Sequence, residues 1–418
     1  MLSYTPGKAI PETELRTKLQ EFLSQAPLTK RKLLVIVPDD TRTSPMPLLY
    51  ETFVEVLFPR VQKLAFLVAL GTHPPLTEVQ LARLFGPSFP HPKIPVYQHM
   101  WQEPQALVRV GKLAKERMAE LSNSLLPLEV DVEINRLVLE FDQILIIGPV
   151  FPHEVVGFSG GHKYFFPGIS GPTMVNVSHW LGALITNPKI NGHKWTPVRA
   201  MIEEAAKFVS TPRLGLSLVL RGHEVVGLFL GEVVEAWEAA ADLSAQVNIV
   251  WTPKPYKFVL SMAPSMYREL WLAGKCMYKL EPVVADGGTL VIYGPHIREI
   301  SPTHGEWLLR VGYHVRDFFL AHWEKYKHVP WAVLAHSTHV KGIGTYRAGL
   351  EQPRIHVVLA TGIPKEICQR INLGYQDPET LKPQELQGRE DEGILVVPNA
   401  GEQLWRLSDG TVPDIDRL

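Results

Sequence analysis

Three apolar runs, each closed by proline or glycine, stand out early in the chain: KLLVIVP (Lys32–Pro38), QKLAFLVAL (Gln62–Leu70) and QILIIGPV (Gln143–Val150). Unbroken runs of this length, rich in Leu, Ile and Val, fit fully buried strands better than half-buried ones, whose residues alternate. Around them the pattern turns helical. Glu12–Ala26 reads as an amphipathic helix. Ser44 followed by Pro45 predicts the start of a second, PLLYETFVEVLF. TEVQLARLFG opens on Thr77, a candidate N-cap, and ends on Gly86.

Residues 90–142 read as a mixed excursion with strand pieces in VYQHMW and DVEINRLVLEF. Past the third run come a predicted helix over Pro197–Val209, a β-pair in LGLSLVLR and HEVVGLFLG, and a long helix from Gly231 to Val247. Prolines interrupt the pattern at WTPKPYK (Trp251–Lys257), which marks a candidate boundary. The pattern then restarts with KFVLSMAP as a strand, Tyr267–Lys279 as a helix and ADGGTLVIYGP as a helix-to-strand step. His314–Trp323 and VPWAVLAH read as helical, IHVVLATG as a strand, and ILVVPNAGEQL as strand, turn and helix. Alternating strands and helices predict an α/β fold. The expected domains are residues 1–250 and 251–393, with 394–418 packing back on the first.

Composition changes this picture little. A chain of 418 residues has room for two to three domains, and a net charge of −1 advertises no nucleic-acid or membrane partner. Cys276 and Cys368 are too few for a disulfide scaffold or a thiolate metal cluster. The amino terminus lacks the basic and apolar regions of a signal peptide, and no apolar run reaches the ~20 residues that span a bilayer. A cytoplasmic protein is the expectation, with monomer and homodimer both open.

Candidate chemistry gathers just beyond the apolar runs, where ligands bind in open α/β sheets. The first run delivers Asp39-Asp40-Thr41-Arg42-Thr43-Ser44-Pro45, the second Gly71-Thr72-His73-Pro74-Pro75, and the third FPHEVVGFSGGHKYFFPGISGPTMVNVSH, from Phe151 to His179. The last holds His153, Gly157, Gly160, Gly161, Lys163, Gly168, Gly171 and His179. Glycines at this density fit close backbone approach to a ligand, or simply the needs of turning. Two histidines suit an acid/base pair, because an imidazole titrates near working pH. An arginine suits a carboxylate, and a lysine a covalent link or a charge. One histidine alone would not hold a transition metal unless an organic ligand supplied the remaining positions. No G-x-G-x-x-G follows a predicted strand, which argues against an ordinary nicotinamide-dependent dehydrogenase.

Taken in order, DDTRTSP, GTHPP, PHEVVGFSGGHKYFFPGISG and the histidine of NVSH resemble the nickel-pincer lactate racemase family. The spacing is specific: Lys163 lies ten residues after His153, and His179 sixteen beyond Lys163. The resemblance implies two Rossmann-like α/β domains with the active site in the cleft between them. It implies a nickel-pincer nucleotide (a pyridinium-3-thioamide-5-thiocarboxylic acid mononucleotide carrying Ni), attached covalently at Lys163, with His179 as the protein's nickel ligand. His73 and His153 would be the acid/base pair, and a hydride would pass from the substrate Cα to the cofactor and back. Arg42 would bind the substrate or phosphate anion and Asp39 orient a neighbour, with Thr41, Gly160 and Gly161 in the cofactor site. Lys275 in LWLAGK would hold the substrate carboxylate, beside Trp271 and Leu272, and Trp331 would be a cleft tryptophan. His162 receives no role.

Trp271-Leu272 departs from the Tyr-Gln of lactate-type members, which leaves room for a larger or more apolar 2-hydroxy acid. The expected function is therefore racemisation or epimerisation of a 2-hydroxy acid, lactate or a larger relative, with cofactor-synthesis proteins as partners. Two alternatives stay open: a C2 epimerase of sugar acids or racemase of malate or aromatic hydroxy acids with the same cofactor, and a non-catalytic carboxylate-binding protein.

Overall fold

The computed structural model describes residues 1–28 and 31–417; Thr29, Lys30 and Leu418 lie outside the described residues. The chain divides into two compact units that interleave along the sequence. The first unit comprises Met1–Phe151, Phe158–Val175 and Pro197–Val247; the second comprises Pro152–Gly157, Asn176–Thr196 and everything from Asn248 onward. The single run expected over 1–250 is thus broken twice by short segments that belong to the second unit.

Among the described residues, the first unit is built on a seven-stranded sheet. Its order is Leu2–Tyr4, Glu224–Gly231, Arg213–Arg221, Gln143–Pro149, Lys32–Pro38, Lys63–Ala69 and Val96–Gln98. The last five run parallel and the two at the other edge antiparallel. The three apolar runs are therefore neighbours at the centre, with Lys32–Pro38 between the other two. Leu33 to Val37 and Leu64 to Val68 are each at most 1 % exposed. Helix Glu12–Gln25 covers one face through Leu15, Leu19 and Leu23, and helix Met46–Leu57 adds Leu49 and Phe53 to the same apolar cluster. Thr77 forms a capping box with Gln80, as its sequence position predicts. Helix Met46–Leu57 has no side-chain cap, however, and Ser44 Oγ is buried without a partner.

The second unit holds a five-stranded, wholly parallel sheet among the described residues, ordered Gly374–Tyr375, His356–Thr361, Val284–Gly294, Tyr256–Met262 and Ile394–Val397. The segment from residue 394 is grouped with the second unit, where Arg406 donates to Pro188 O and Asn191 O. Ile394–Val397 completes the edge beside Tyr256–Met262, and Leu404–Leu407 pairs with Ile249–Thr252. Leu404–Leu407 is a strand rather than the expected helix, because Asn399 and Gly401 at positive φ reverse the chain before it. Tyr267–Lys279 is not one helix but two single turns, Leu270–Ala273 and Lys275–Tyr278, meeting at Gly274.

Candidate functional site

In the first unit the strands Lys32–Pro38 and Lys63–Ala69 pair in register up to Pro38 and Ala69, so the segments after them emerge side by side. Asp39 follows directly and is buried. Its Oδ1 accepts from the backbone N–H of Thr41 at 3.2 Å and the Thr41 hydroxyl at 2.7 Å, a turn that Asp forms readily with the residue two ahead. Its Oδ2 meets Nδ1 of His73 in a direct contact. Burial alone would raise the Asp39 carboxyl, but His73, Arg42 and Thr41 outweigh it and hold it well below the carboxylate range. An ionised Asp39 can only accept, so it meets a proton on His73 Nδ1 and leaves Nε2 as the ring nitrogen turned away from the pair. The loop carrying His73 is pinned as well: Gly71 N–H donates to Gly168 O at 2.9 Å, and Gln98 brackets Leu76 through both its amide groups.

Lys163 sits half-buried on the 3-10 turn Gly161–Tyr164. Gly160 precedes it at φ 84°, and a Cβ there would come within 2.7 Å of the Val150 side chain. At Gly161 a Cβ would meet the Trp237 ring at 3.0 Å. At both positions the chain's own packing leaves no room for a side chain.

Behind this turn lies a layer that sequence reasoning missed. Arg199, fully buried, donates to Phe158 O and to Gly160 O at 3.2 Å and lies 4.1 Å from the Trp237 ring. Trp237 Nε1–H donates to Ser159 O at 2.9 Å. Glu203 meets Arg199 at 3.4 Å and His162 Nδ1 at 2.5 Å, and Arg213 donates to His162 Nε2 at 2.8 Å. Burial would raise Glu203, but His162 and Arg199 keep it below its ordinary value, so Arg199 has an anion to match its charge. Residues 40 positions apart carry no spacing signal. The only clue was an Arg and a Glu at i, i+4 on the otherwise apolar helix Pro197–Ala206.

In the second unit the segment Pro152–Gly157 is held by Lys279 Nζ on Pro152 O, Thr196 Oγ1 on Val156 O at 3.3 Å, and Gly192 N–H on Gly157 O at 2.9 Å. His153 Nδ1 accepts from Val155 N–H at 3.1 Å and has Glu154 Oε2 at 3.4 Å. His179, expected on a loop, stands on helix Pro172–Ile185, which the Gly171-Pro172 pair starts. His339, buried beside it, has its imidazole pushed down to about 4 by burial, partly opposed by Glu154 and helped by the His179 charge.

Trp271 lies between two imidazoles, stacked on His336 at 4.0 Å and tilted against His304 at 4.2 Å. Leu272 is buried. Lys275 is half-buried, with Nζ 4.8 Å from the Tyr267 ring. Trp331 is half-buried: Nε1–H donates to Lys327 O at 3.1 Å, and its ring lies against Trp323, which stacks on Trp180. Among the described residues no group of three or more His, Cys, Asp or Glu is placed to hold a metal ion. His179 alone would hold a metal only if an organic group brought the other ligands. No helix among the described residues is long and apolar enough to cross a membrane.

Comparison with known proteins gives this geometry its context. Residues 8–191 match the lactate racemase N-terminal domain. The lactate racemase of Thermoanaerobacterium thermosaccharolyticum is 24% identical over 289 residues, 67% of this chain and 63% of its own length. That of Lactiplantibacillus plantarum is 24% identical over 230 residues, 53% of this chain and 50% of its own. The matches thus span less than two thirds of these relatives. Among solved structures, a Thermotoga maritima protein superposes with a TM-score of 0.89 at 30% identity, over 98% of this chain and all of that one. The lactate racemase apoprotein from T. thermosaccharolyticum gives 0.71 at 17% identity, over 95% and 93%, a likeness of fold. Residues 8–191 thus carry a lactate racemase N-terminal domain, in a chain whose fold is that of a lactate racemase apoprotein.

Proposed function

We propose that the protein is a racemase or epimerase of 2-hydroxy acids working with a nickel-pincer nucleotide. The observation that carries this reading is the Asp39–His73 pair: a buried, ionised carboxylate fixing the tautomer of an imidazole at the end of a central strand. A binding protein gains nothing from an oriented base, whereas removing a proton from a substrate hydroxyl requires one. His73 and His153 are the acid/base pair, each exchanging a proton with the α-hydroxyl through Nε2. Arg42, half-buried beside Thr41, and Lys275 bind the anionic groups of substrate or cofactor. Lys163 tethers the cofactor through its Nζ, and His179 gives the metal its protein ligand. When bound, the cofactor supplies a reversible acceptor for the hydride on the substrate Cα.

Lactate is not the best-supported substrate. The imidazole-flanked Trp271 and the buried Leu272 favour a larger or more apolar 2-hydroxy acid, such as an aromatic one. The proteins that synthesise the cofactor are the implied partners, and the cytoplasm the implied site of action.

The test is intact mass and nickel analysis of protein co-expressed with the cofactor-synthesis genes, followed by a racemisation screen over 2-hydroxy acids. A mass increase mapping to Lys163, about one nickel per chain and turnover of one acid are expected. An unmodified Lys163 without nickel, alongside a working control racemase, overturns the reading in favour of carboxylate binding without turnover.

A further inference from the structure

We propose that Glu154 is the positioning residue of His153, accepting its Nδ1 proton whenever the imidazole works through Nε2. The inference rests on the racemase reading for its catalytic consequence, but the pairing itself is independent of it. As the structure stands, His153 Nδ1 accepts from Val155 N–H at 3.1 Å. That bond places the proton of the neutral ring on Nε2, where no lone pair remains to take a proton from substrate. To act as a base at Nε2, the ring must carry its proton on Nδ1, and the Val155 amide cannot accept it.

Glu154 Oε2 lies 3.4 Å from Nδ1, and both side chains are nearly buried, 12% exposed for His153 and 13% for Glu154. Burial would raise the Glu154 carboxyl, but Lys279, its own backbone N–H, His339 and Lys275 outweigh it and keep it below its ordinary value. Together they preserve an anion beside His153, at a position where desolvation alone would neutralise one. The exchange is balanced. A proton from solvent at Nδ1 gives the imidazolium, whose Nδ1–H turns from Val155 to Glu154. Loss of the Nε2 proton to a substrate alkoxide then leaves Nδ1–H on Glu154 and a lone pair on Nε2.

The test follows the His153 ring by 15N–1H spectra of the full chain, with and without cofactor, from about pH 5 to about 9. His153→Gln assigns the resonance, and the parent is compared with Glu154→Gln. Loss of the anion is expected to lower the proton affinity of His153 at least about threefold and to deplete the Nδ1–H form. In the loaded enzyme Glu154→Gln should lower kcat about tenfold with KM changed less than about twofold, and Glu154→Asp should recover part of it. Should Glu154→Gln not fold, Glu154→Asp must show a smaller shift of the same sign. Identical His153 titration in parent and variant overturns the proposal, even if activity falls. A shifted titration in a protein that racemises no 2-hydroxy acid upholds the pairing and sinks the functional reading instead.

Discussion

Two histidine–carboxylate arrangements distinguish the two units. In the first, Asp39 holds His73 by direct contact, and the Thr41 turn holds Asp39 in its place. In the second, His153 rests on a backbone amide with its carboxylate neighbour one step away at 3.4 Å. A histidine and a carboxylate therefore make a fixed contact in one region and a looser one in the other. The cause is local. Asp39 and His73 lie in the segments that follow two paired parallel strands, whereas His153 ends the two-residue strand Pro152–His153 and Glu154 opens the turn after it. The difference teaches that contact across two strands fixes a histidine more firmly than a neighbour in sequence does.

The largest expected effect lies outside both arrangements and isolates them. Lys163→Ala should abolish turnover and cofactor mass together while leaving the His73 and His153 titrations in place; a variant that keeps its nickel would break the assignment. Asp39→Asn comes next. An amide in place of the carboxylate can donate to Nδ1 and so favours the wrong tautomer, and kcat should fall about 10²–10⁴-fold. A loss no greater than that of Glu154→Gln would erase the distinction between the fixed and the looser contact.

A smaller effect concerns stability against acid. Burial pushes His99 in the first unit down to about 4, and His336 and His339 in the second to about 3 and 4. The unfolded chain therefore takes up these protons first, and the stability they give is lost as pH falls from the usual histidine range through about 4. Glu269, raised by burial and Glu299 to about 7, works oppositely and loses its contribution as pH rises through 7. Three groups against one predict a net loss on going from about pH 7 to 5, with about 1–2 kcal/mol per group. Melting curves and hydrogen exchange at both pH values check it, and an unchanged Tm contradicts it. The smallest effect is expected from Gly160→Ala. With φ at 84° and Val150 2.7 Å from the new methyl, it should cost about 1–3 kcal/mol in denaturant unfolding.

Much of the frame was legible because it is written in short range. Lys32–Pro38, Lys63–Ala69 and Gln143–Pro149 are strands because unbroken apolar runs bounded by Pro or Gly have few other ways to be buried. Thr77 and Gly86 bracket their helix for equally local reasons. Asp39, His73, His153, Lys163 and His179 were visible as types at fixed spacings. What they touch was not, since the Asp39–His73 contact joins residues 34 apart and the Arg199–Gly160 bond residues 39 apart.

The sequence by itself determined the α/β alternation, the central strands and the candidate residues gathered beyond them, because period and turn composition act over a few residues. The tertiary structure decided the rest. It joined Ile394–Val397 to the second sheet, turned Leu404–Leu407 into a strand, and threaded Pro152–Gly157 and Asn176–Thr196 into the second unit. It also decided which carboxylate each histidine faces and set the layer of Arg199, Glu203 and His162 beneath the glycine turn. Those outcomes depend on which surfaces meet when the chain closes on itself, and closure couples residues whose separation in sequence leaves no periodic trace.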